Sequence, residues 1–396
     1  MVAKILTKED LWSTVVGGAA LATGGGGASP SYETFSKEVD PLFESGLKPK
    51  LIDADEVPTG EIIFVSAGIG GGLEREKAEK YLRRFGSVQE WIKEMDRIFP
   101  IPSWAEIPGE DWPQAIHKRM VQLKGKEPYG YMPFEIGPNN YRYFTAPENR
   151  GRCVVDADNA GHRAVPELSL ATLNVMNAPV APVIASTGWG DLAVFEKLLS
   201  WQRAEDLLRH VAIISGGGCQ SLTAFSDDWI KKGTVHGTLS LSMRVGKAIL
   251  KARKDKTDPV KAILKMASGY MLFEGDVAAY TNEGKNSFTW GSAWIEGMGK
   301  DAGHTMKIWF QNENQISWID DKPYVTCPDP FTVVDAQTGE GLSNFRVTDW
   351  PQGRKVVVWG MKSAAPWRTE RGLRIYNPKH FGFDIPYRPI EEIVKA

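Results

Sequence analysis

Cysteine is scarce in this chain. Three occur in 396 residues, Cys153, Cys219 and Cys327, far apart and with no Cys-x-x-Cys pair. A sequence-local zinc knuckle and a disulfide framework are both excluded, and the scarcity fits a reducing compartment. No run of about 20 apolar residues occurs, so no membrane span is expected. The opening MVAKILTKEDLW has no apolar core long enough for a signal peptide. Charge of one sign is also missing. The formal net charge is −2, and the only basic cluster is KARKDK at 251–256, so nucleic-acid binding has no electrostatic footprint. These absences leave a cytoplasmic enzyme or binding protein. No glycine run is followed by Gly-Lys-Ser/Thr, and GGGG at 24–27 follows a helical pattern instead of a strand. P-loop and dinucleotide fingerprints both fail, and no nucleotide cofactor is expected.

Glycine and tryptophan are abundant by contrast, with 40 and 14 residues. The tryptophans fit an aromatic-lined pocket, a broad interface such as that of a homo-oligomer, or simple core filling. The length predicts two domains. TKEDLWSTVVGGAALAT (7–23) reads as a helix with Thr7 as N-cap and acids in its first turn. EIIFVSAGIGGG (61–72), GRCVVDAD (151–158), APVIAST (181–187) and HVAIISGGGC (210–219) read as strands. VPELSLATLNVM (165–176), LAVFEKLLSWQRAEDLLR (192–209) and the segment after VHG at 235–237 read as helices. Strand, glycine loop and helix alternate, which is α/β logic with loops at the strand ends. Residues 77–126 form an excursion carrying Trp91, Trp104 and Trp112 beside prolines, either a pocket wall or a packing insert. After about residue 270 short strands separated by Gly, Asp and Pro turns predict a β-rich module. The expected architecture is an N-terminal α/β domain over 1–200 and a C-terminal domain over 201–396.

DADNAGHRAVPE at 156–167 carries the densest chemistry. Asp156 and Asp158 are two apart on a strand and share a face. Two close carboxylates raise one pKa, which suits a general base. With His162 or Glu167 they are equally suited to a divalent cation, and zinc held by Asp156, Asp158 and His162 is the metal expectation. The alternative is a helix start in which Arg163 neutralises the acids. Glu135 and Asn139 lie in the turn-prone FEIGPNN. Gly25, Gly26, Gly217 and Gly218 offer backbone N–H donors. Cys219 is a candidate nucleophile if its thiolate were stabilised, or a small buried residue beside a tight turn. In FQNENQ (310–315), Asn312, Glu313 and Asn314 either face a site or form a polar turn at a sheet edge.

TGGGGASP, FEIGPNN, VVDADNAGHRAVPEL, ISGGGC, GTLSLSMRVGKAI, IWFQNENQISW, CPDPFTVVDAQTGE and APWRTERGL occur in one order along the chain. Together they resemble the S-methyl-thiohydantoin desulfurase-like family. The resemblance spans nearly the whole sequence. It implies an α/β part followed by a β-rich part, and hydrolytic release of methanethiol from an S-methylated thiohydantoin. It also implies a neighbourhood with hydantoinase-type proteins, and hence either a catalytic role or that of a non-catalytic partner subunit. In the family's pattern a glycine is followed directly by Arg-Ala-x-Pro-Glu, whereas here His162 intervenes between Gly161 and Arg163. Cys219 and the tryptophan-bearing segment are further departures, and they bear on the substrate more than on the fold. The reading is a hydrolase of a small cyclic thioimidate or amide. Asp156, Asp158, Glu167 and His162 are its expected catalytic groups, with Cys219 as the alternative nucleophile. Glu135, Asn139, Arg163 and the glycine loops are expected to hold the substrate.

Overall fold

A computed structural model of the chain describes residues 3–72, 112–187 and 190–395. Helix α1 (Lys8–Leu21) begins as expected. The Thr7 hydroxyl accepts from the Asp10 N–H at 3.1 Å, and the Asp10 carboxylate accepts from the Thr7 N–H at 2.9 Å, a reciprocal capping box. Mid-helix glycines cost helix stability, and here they let two helices touch. A methyl group on Gly17 would lie 1.9 Å from the Ser242 carbonyl, and one on Gly246 1.9 Å from that of Ser13. Helix α1 therefore packs backbone to backbone against a later helix, Thr238–Asp255. The remaining helices needed below are α2 (Tyr32–Glu44), α3 (Trp112–Lys124) and α4 (Trp201–Ile214), with α5 for Thr238–Asp255.

Among the described residues two sheets form. The first contains β1 (Lys4–Ile5), β2 (Lys50–Asp53), β3 (Ile62–Gly70), β4 (Gly130–Pro133), β5 (Cys153–Asp158), β6 (Val183–Thr187), β7 (Leu192–Phe195) and β8 (Gly218–Ser226). Its order is β1-β2-β5-β4-β3-β8-β6-β7, with β9 (Val235–His236) paired to β5. The centre β2-β5-β4-β3 is parallel, and the flanks are antiparallel. The second sheet is wholly antiparallel, built from β10 (Tyr270–Lys285), β11 (Phe288–Gly297), β12 (Thr305–Gln311), β13 (Glu313–Ile319), β14 (Lys322–Thr326), β15 (Phe331–Asp335) and β16 (Lys355–Gly360). Its order is β14-β13-β12-β11-β10-β16-β15. The fold is thus an α/β layer followed by an antiparallel β layer. A core of Val16, Ala20, Ile136, Ala164, Val245, Val334 and Trp359 joins α1, α5, the second sheet and the segments that follow β4 and β5. No described helix is long and apolar enough to cross a membrane.

Three segments differ from their expected form. Residues 210–214 are the end of helix α4, and the strand starts only at Gly218. Trp201, Ala204, Glu205, Leu208, Arg209 and Ala212 are buried at helical spacing. Residues 192–195 are a strand paired to β6, not a helix. Of 165–176 only Thr172–Val175 is helical. The reason is local: the Val165 N–H goes to the Glu135 carboxylate at 2.8 Å, and the Leu168 N–H goes to that of Glu205 at 2.7 Å. Side chains thus take up backbone donors along this stretch. The excursion at 77–126 lies outside the described residues as far as 111, and α3 is helical beyond it.

Candidate active site

The parallel strands β3 and β4 end beside three glycine loops, and a cavity of about 660 Å³ opens there. Open α/β sheets place ligands at this end of their strands. Its walls come from the first glycine loop (Gly26, Gly27), the end of β3 (Gly68–Gly71), the turn after β4 (Glu135, Asn139), Pro166–Leu168, Gly218–Gln220 and the hairpin residues Asn312 and Glu313. The hairpin joins β12 to β13 through Asn312, whose φ of +56° is left-handed. The Asn312 side chain fixes the turn. Its Oδ1 accepts from the Thr289 N–H at 2.8 Å, and its Nδ2 donates to the Gly70 carbonyl at 3.3 Å. That places Glu313 at the tip, 2% exposed.

Glu313 sits against the first glycine loop so closely that a methyl group on Gly25 would lie 1.8 Å from its Oε1. The Gly26 N–H donates to the Glu313 carboxyl, while its buried Oε2 has no partner. Glu135 reaches the same cavity from the first sheet and accepts from the Val165 N–H through Oε2. Burial is the main force on both groups, and each also repels the other's charge or that of a neighbouring acid. Glu135 is pushed up to about 8, by burial first and then by Asp158, with Val165 and Arg163 opposing. Glu313 is pushed well above the carboxylate range by burial and by Glu135. Two acids whose charges oppose one another, in a cavity large enough for a small heterocycle, are chemically suited to act as an acid and a base.

Beyond the pair lies a second polar cluster. Arg209 donates to Glu205 at 2.8 Å, to the Ser287 carbonyl at 2.7 Å and to the Pro166 carbonyl at 2.8 Å. Its guanidinium stacks 3.7 Å from the centre of the Phe288 ring. Glu167 lines the cavity, accepts from Ser169 at 2.9 Å and bonds His380 at 3.0 Å. Burial opposes its charge, but His380 and Ser169 outweigh that and hold the carboxyl below its usual range. Cys219 also lines the cavity, yet its buried thiol points to the Leu208 carbonyl at 3.6 Å and burial pushes it up to about 12. A thiol held protonated is a poor nucleophile.

Other residues marked in the sequence lie elsewhere. Asp156 and Asp158 do not line the cavity. Asp158 accepts from the N–H groups of Gly161 and His162 at 2.6 and 3.0 Å and from the Thr238 hydroxyl at 2.9 Å. Asp156 accepts from the Ser240 N–H at 3.0 Å, at the start of α5. Both therefore tie the end of β5 to a helix N-terminus, where anions are favoured. His162, in the left-handed region at φ +61°, is also outside the lining. Burial and the nearby Arg244 depress its imidazole to about 4, and its buried Nδ1 has no partner. Among the described residues no three His, Cys, Asp or Glu side chains gather as cation ligands. Asp156, Asp158 and His162 thus do not fit the zinc expected of them, because each carboxylate is already occupied by N–H or O–H donors. Arg163 is likewise away from the cavity wall, fully buried between the two sheets. Of the expected backbone donors, Gly26 and Gly218 line the cavity. Gly25 presses on Glu313, and the Gly217 carbonyl accepts from the Gly71 N–H at 3.3 Å and the Ser287 hydroxyl at 2.8 Å. Asn139 lines the cavity and sits 3.4 Å from the Gly26 and Ala28 carbonyls, bracing the first loop.

Comparison with known proteins gives this geometry a family. The N-terminal domain of the S-Me-THD-like family matches residues 100–197, and its C-terminal domain matches 200–390. The chain belongs to the S-Me-THD-like family. No curated protein matches it. Among solved structures it resembles the crystal structure of a protein from Chromobacterium violaceum, at 20% identity and a TM-score of 0.73, covering 98% of this chain and 100% of the other. That likeness concerns the fold. Within this S-Me-THD-like protein, the two matched regions meet at the cavity, Glu135 coming from one and Glu313 and Cys219 from the other. The first glycine loop lies ahead of both. Arg209 and Glu205 were not marked in the sequence. Their signal was a charged pair spaced i, i+4 on the buried side of an amphipathic helix. For Glu313 the signal was a polar run between two aromatic strand segments, too long for a two-residue turn.

Proposed function

We propose that the protein is a hydrolase of a small cyclic thioimidate of the S-methyl-thiohydantoin kind, and that Glu135 and Glu313 are its acid–base pair. The observation that carries this reading is the meeting of those two carboxyls, one from each sheet, in one cavity beside glycine-loop amides. The family's name supports the substrate class. The carbon to be attacked is bonded to two nitrogens and one sulfur, with one ring nitrogen carrying hydrogen and the other a lone pair. A carboxylic acid beside a carboxylate complements that edge, the acid donating to the bare nitrogen and the carboxylate accepting from the N–H.

Glu313, the more deeply buried and more strongly raised, is the acid. Glu135 is the base, and its raised value makes it stronger than an ordinary carboxylate. Glu135 takes a proton from water as the water oxygen bonds to the ring carbon, while Glu313 protonates the ring nitrogen. In the tetrahedral intermediate the ring nitrogen keeps that proton. The C–S bond then breaks, its electron pair leaves with sulfur, and the proton held by Glu135 passes to the thiolate. Loss of the hydroxyl proton back to Glu313 forms the carbonyl and restores the pair. Methanethiol and the ring amide are the products, so one water is consumed and the pair ends as it began. N–H groups of the glycine loops are suited to stabilise charge as it develops.

The test is turnover of an S-methylated thiohydantoin, followed by capture of the released thiol with a chromogenic disulfide. Glu135→Gln and Glu313→Gln should each lower kcat by about a hundredfold or more, with folding intact by circular dichroism. Full turnover in both variants would remove the pair from the mechanism. If the isolated wild-type chain turned over no cyclic substrate but co-purified with a hydantoinase-type enzyme, the partner-subunit role would replace the catalytic one.

A further inference from the structure

The arginines packed into this fold are not alike. Arg209 bonds the Glu205 carboxylate at 2.8 Å and Arg368 bonds Asp329 at 2.7 Å. Arg163, with no exposed surface, bonds no carboxylate. Its Nε donates to the Ala164 carbonyl at 3.0 Å, Nη1 to that of Pro328 at 3.1 Å, and Nη2 to the Asn314 carbonyl at 3.2 Å and Gln315 Oε1 at 3.3 Å. The guanidinium lies 4.8 Å from the centre of the Tyr376 ring. These partners satisfy the donors but supply no opposite charge. A buried cation without one is costly.

The charge must be answered nearby. Its charge acts on Glu135, Glu313, Cys327 and Tyr376. Burial holds the Cys327 thiol and the Tyr376 phenol in their neutral forms. Of the other groups around the pair, Asp158 is an acid that works against ionisation, and Tyr143 is a buried phenol held neutral. Geometry places Arg163 beside both members of the pair: its carbonyl accepts from the Ile136 N–H at 3.2 Å, one residue past Glu135, and its Nη2 donates to the Asn314 carbonyl, one residue past Glu313.

Resting on the acid–base reading of that pair, we propose that Arg163 is its counter-ion: a positioning residue, out of reach of substrate, whose charge favours ionisation of one of the two carboxyls. The arrangement joins structure to chemistry. Arg163 ties β13, through Asn314 and Gln315, to the segment that follows Glu135 in space, and its charge arrives with that clamp.

The experiment measures ionisation of the pair directly, without substrate, by pH-difference infrared spectroscopy of the full chain. The carboxyl bands are assigned by their loss in Glu135→Gln and Glu313→Gln. Arg163→Met should move the midpoint of the pair upward by about one pH unit or more. Arg163→Lys, which keeps the charge but not the fork of donors, should stay within about half a unit. A folded Arg163→Met protein with an unmoved midpoint would overturn the proposal. So would a folded Arg163→Lys protein that shifts by a full unit, which covers the case in which the Met variant does not fold. A merely structural clamp would lower thermal stability in both variants and leave the midpoint alone. Because turnover is not read, failure here is distinct from failure of the hydrolase reading.

Discussion

Replacing Gly25 by alanine asks whether the first glycine loop exists to seat Glu313. Gly25 is not at a positive φ, so its backbone accepts alanine without strain. The cost arises from contact alone. The new methyl would lie 1.8 Å from Glu313 Oε1, 2.4 Å from Cδ and 2.5 Å from Cγ. Three atoms inside van der Waals contact cannot be relieved by turning the carboxyl tip, and the side chain is 2% exposed. Overpacking of this kind costs about 1–3 kcal/mol. In a Glu313→Ala background the obstacle is gone, and the same Gly25→Ala change should cost close to nothing. Equilibrium urea unfolding of the wild type, the two single variants and the double variant forms a thermodynamic cycle. A coupling of about 1 kcal/mol or more is expected, and costs that add within about 0.5 kcal/mol would refute the contact. Turnover gives a second reading, since on the proposed mechanism a displaced carboxyl no longer reaches the ring nitrogen it protonates. Gly25→Ala alone should therefore lower kcat by about tenfold or more.

Other expectations follow from the same geometry. Glu135 has a folded value near 8 against an ordinary 4.5, so the fold favours its protonated form. Its contribution is present below about pH 4.5 and lost as pH rises toward about 8, and Glu135→Gln should flatten the pH dependence of the urea midpoint across that window. Turnover should rise over the same range as the base ionises, so a rate flat from pH 6 to 9, scanned at saturating substrate, would argue against Glu135 as base. Cys219→Ala should keep turnover, and the native thiol should resist alkylation at neutral pH, as measured by mass spectrometry. Asp158→Asn keeps one oxygen but replaces the other, which accepts from the His162 N–H and the Thr238 hydroxyl, with an amide donor; it should cost about 1–3 kcal/mol in thermal or urea unfolding, while the folded fraction retains its activity.

Much of the first layer was legible because local chemistry and global packing agree there. Thr7 and Asp10 mark the start of α1, and the apolar run into Asp156 marks β5. The SGGGC segment misled because a helix and a strand abut within five residues, and the apolar residues before the glycines serve the helix. The acids of DADNAGHRAVPE were the most visible chemistry, yet their lone pairs go to the N–H groups of Gly161, His162 and Ser240. A sequence shows that a carboxylate is present but not what occupies it. Glu135 was marked as a substrate-facing residue, and the cavity does include it. Glu313 was read as facing a site or forming a polar turn, and spacing could not pair it with Glu135, because only the approach of the second sheet brings it near. The burial of Asn312, Glu313, Asn314 and Gln315 likewise reverses the sheet-edge reading of that hairpin.

If Glu135 and Glu313 are the acid–base pair proposed above, the hairpin that carries Glu313 also governs when the protein can be reactive. Glu135 is synthesised early and Glu313 late, and each lies on a layer that can form its own hydrogen-bonded ladder. A nascent chain, or a fragment ending before residue 313, holds only one carboxyl, which in contact with water titrates as an ordinary acid. Neither layer possesses half an activity. On that reading, competence arrives only when the layers dock and the two acids meet, so assembly itself acts as the switch.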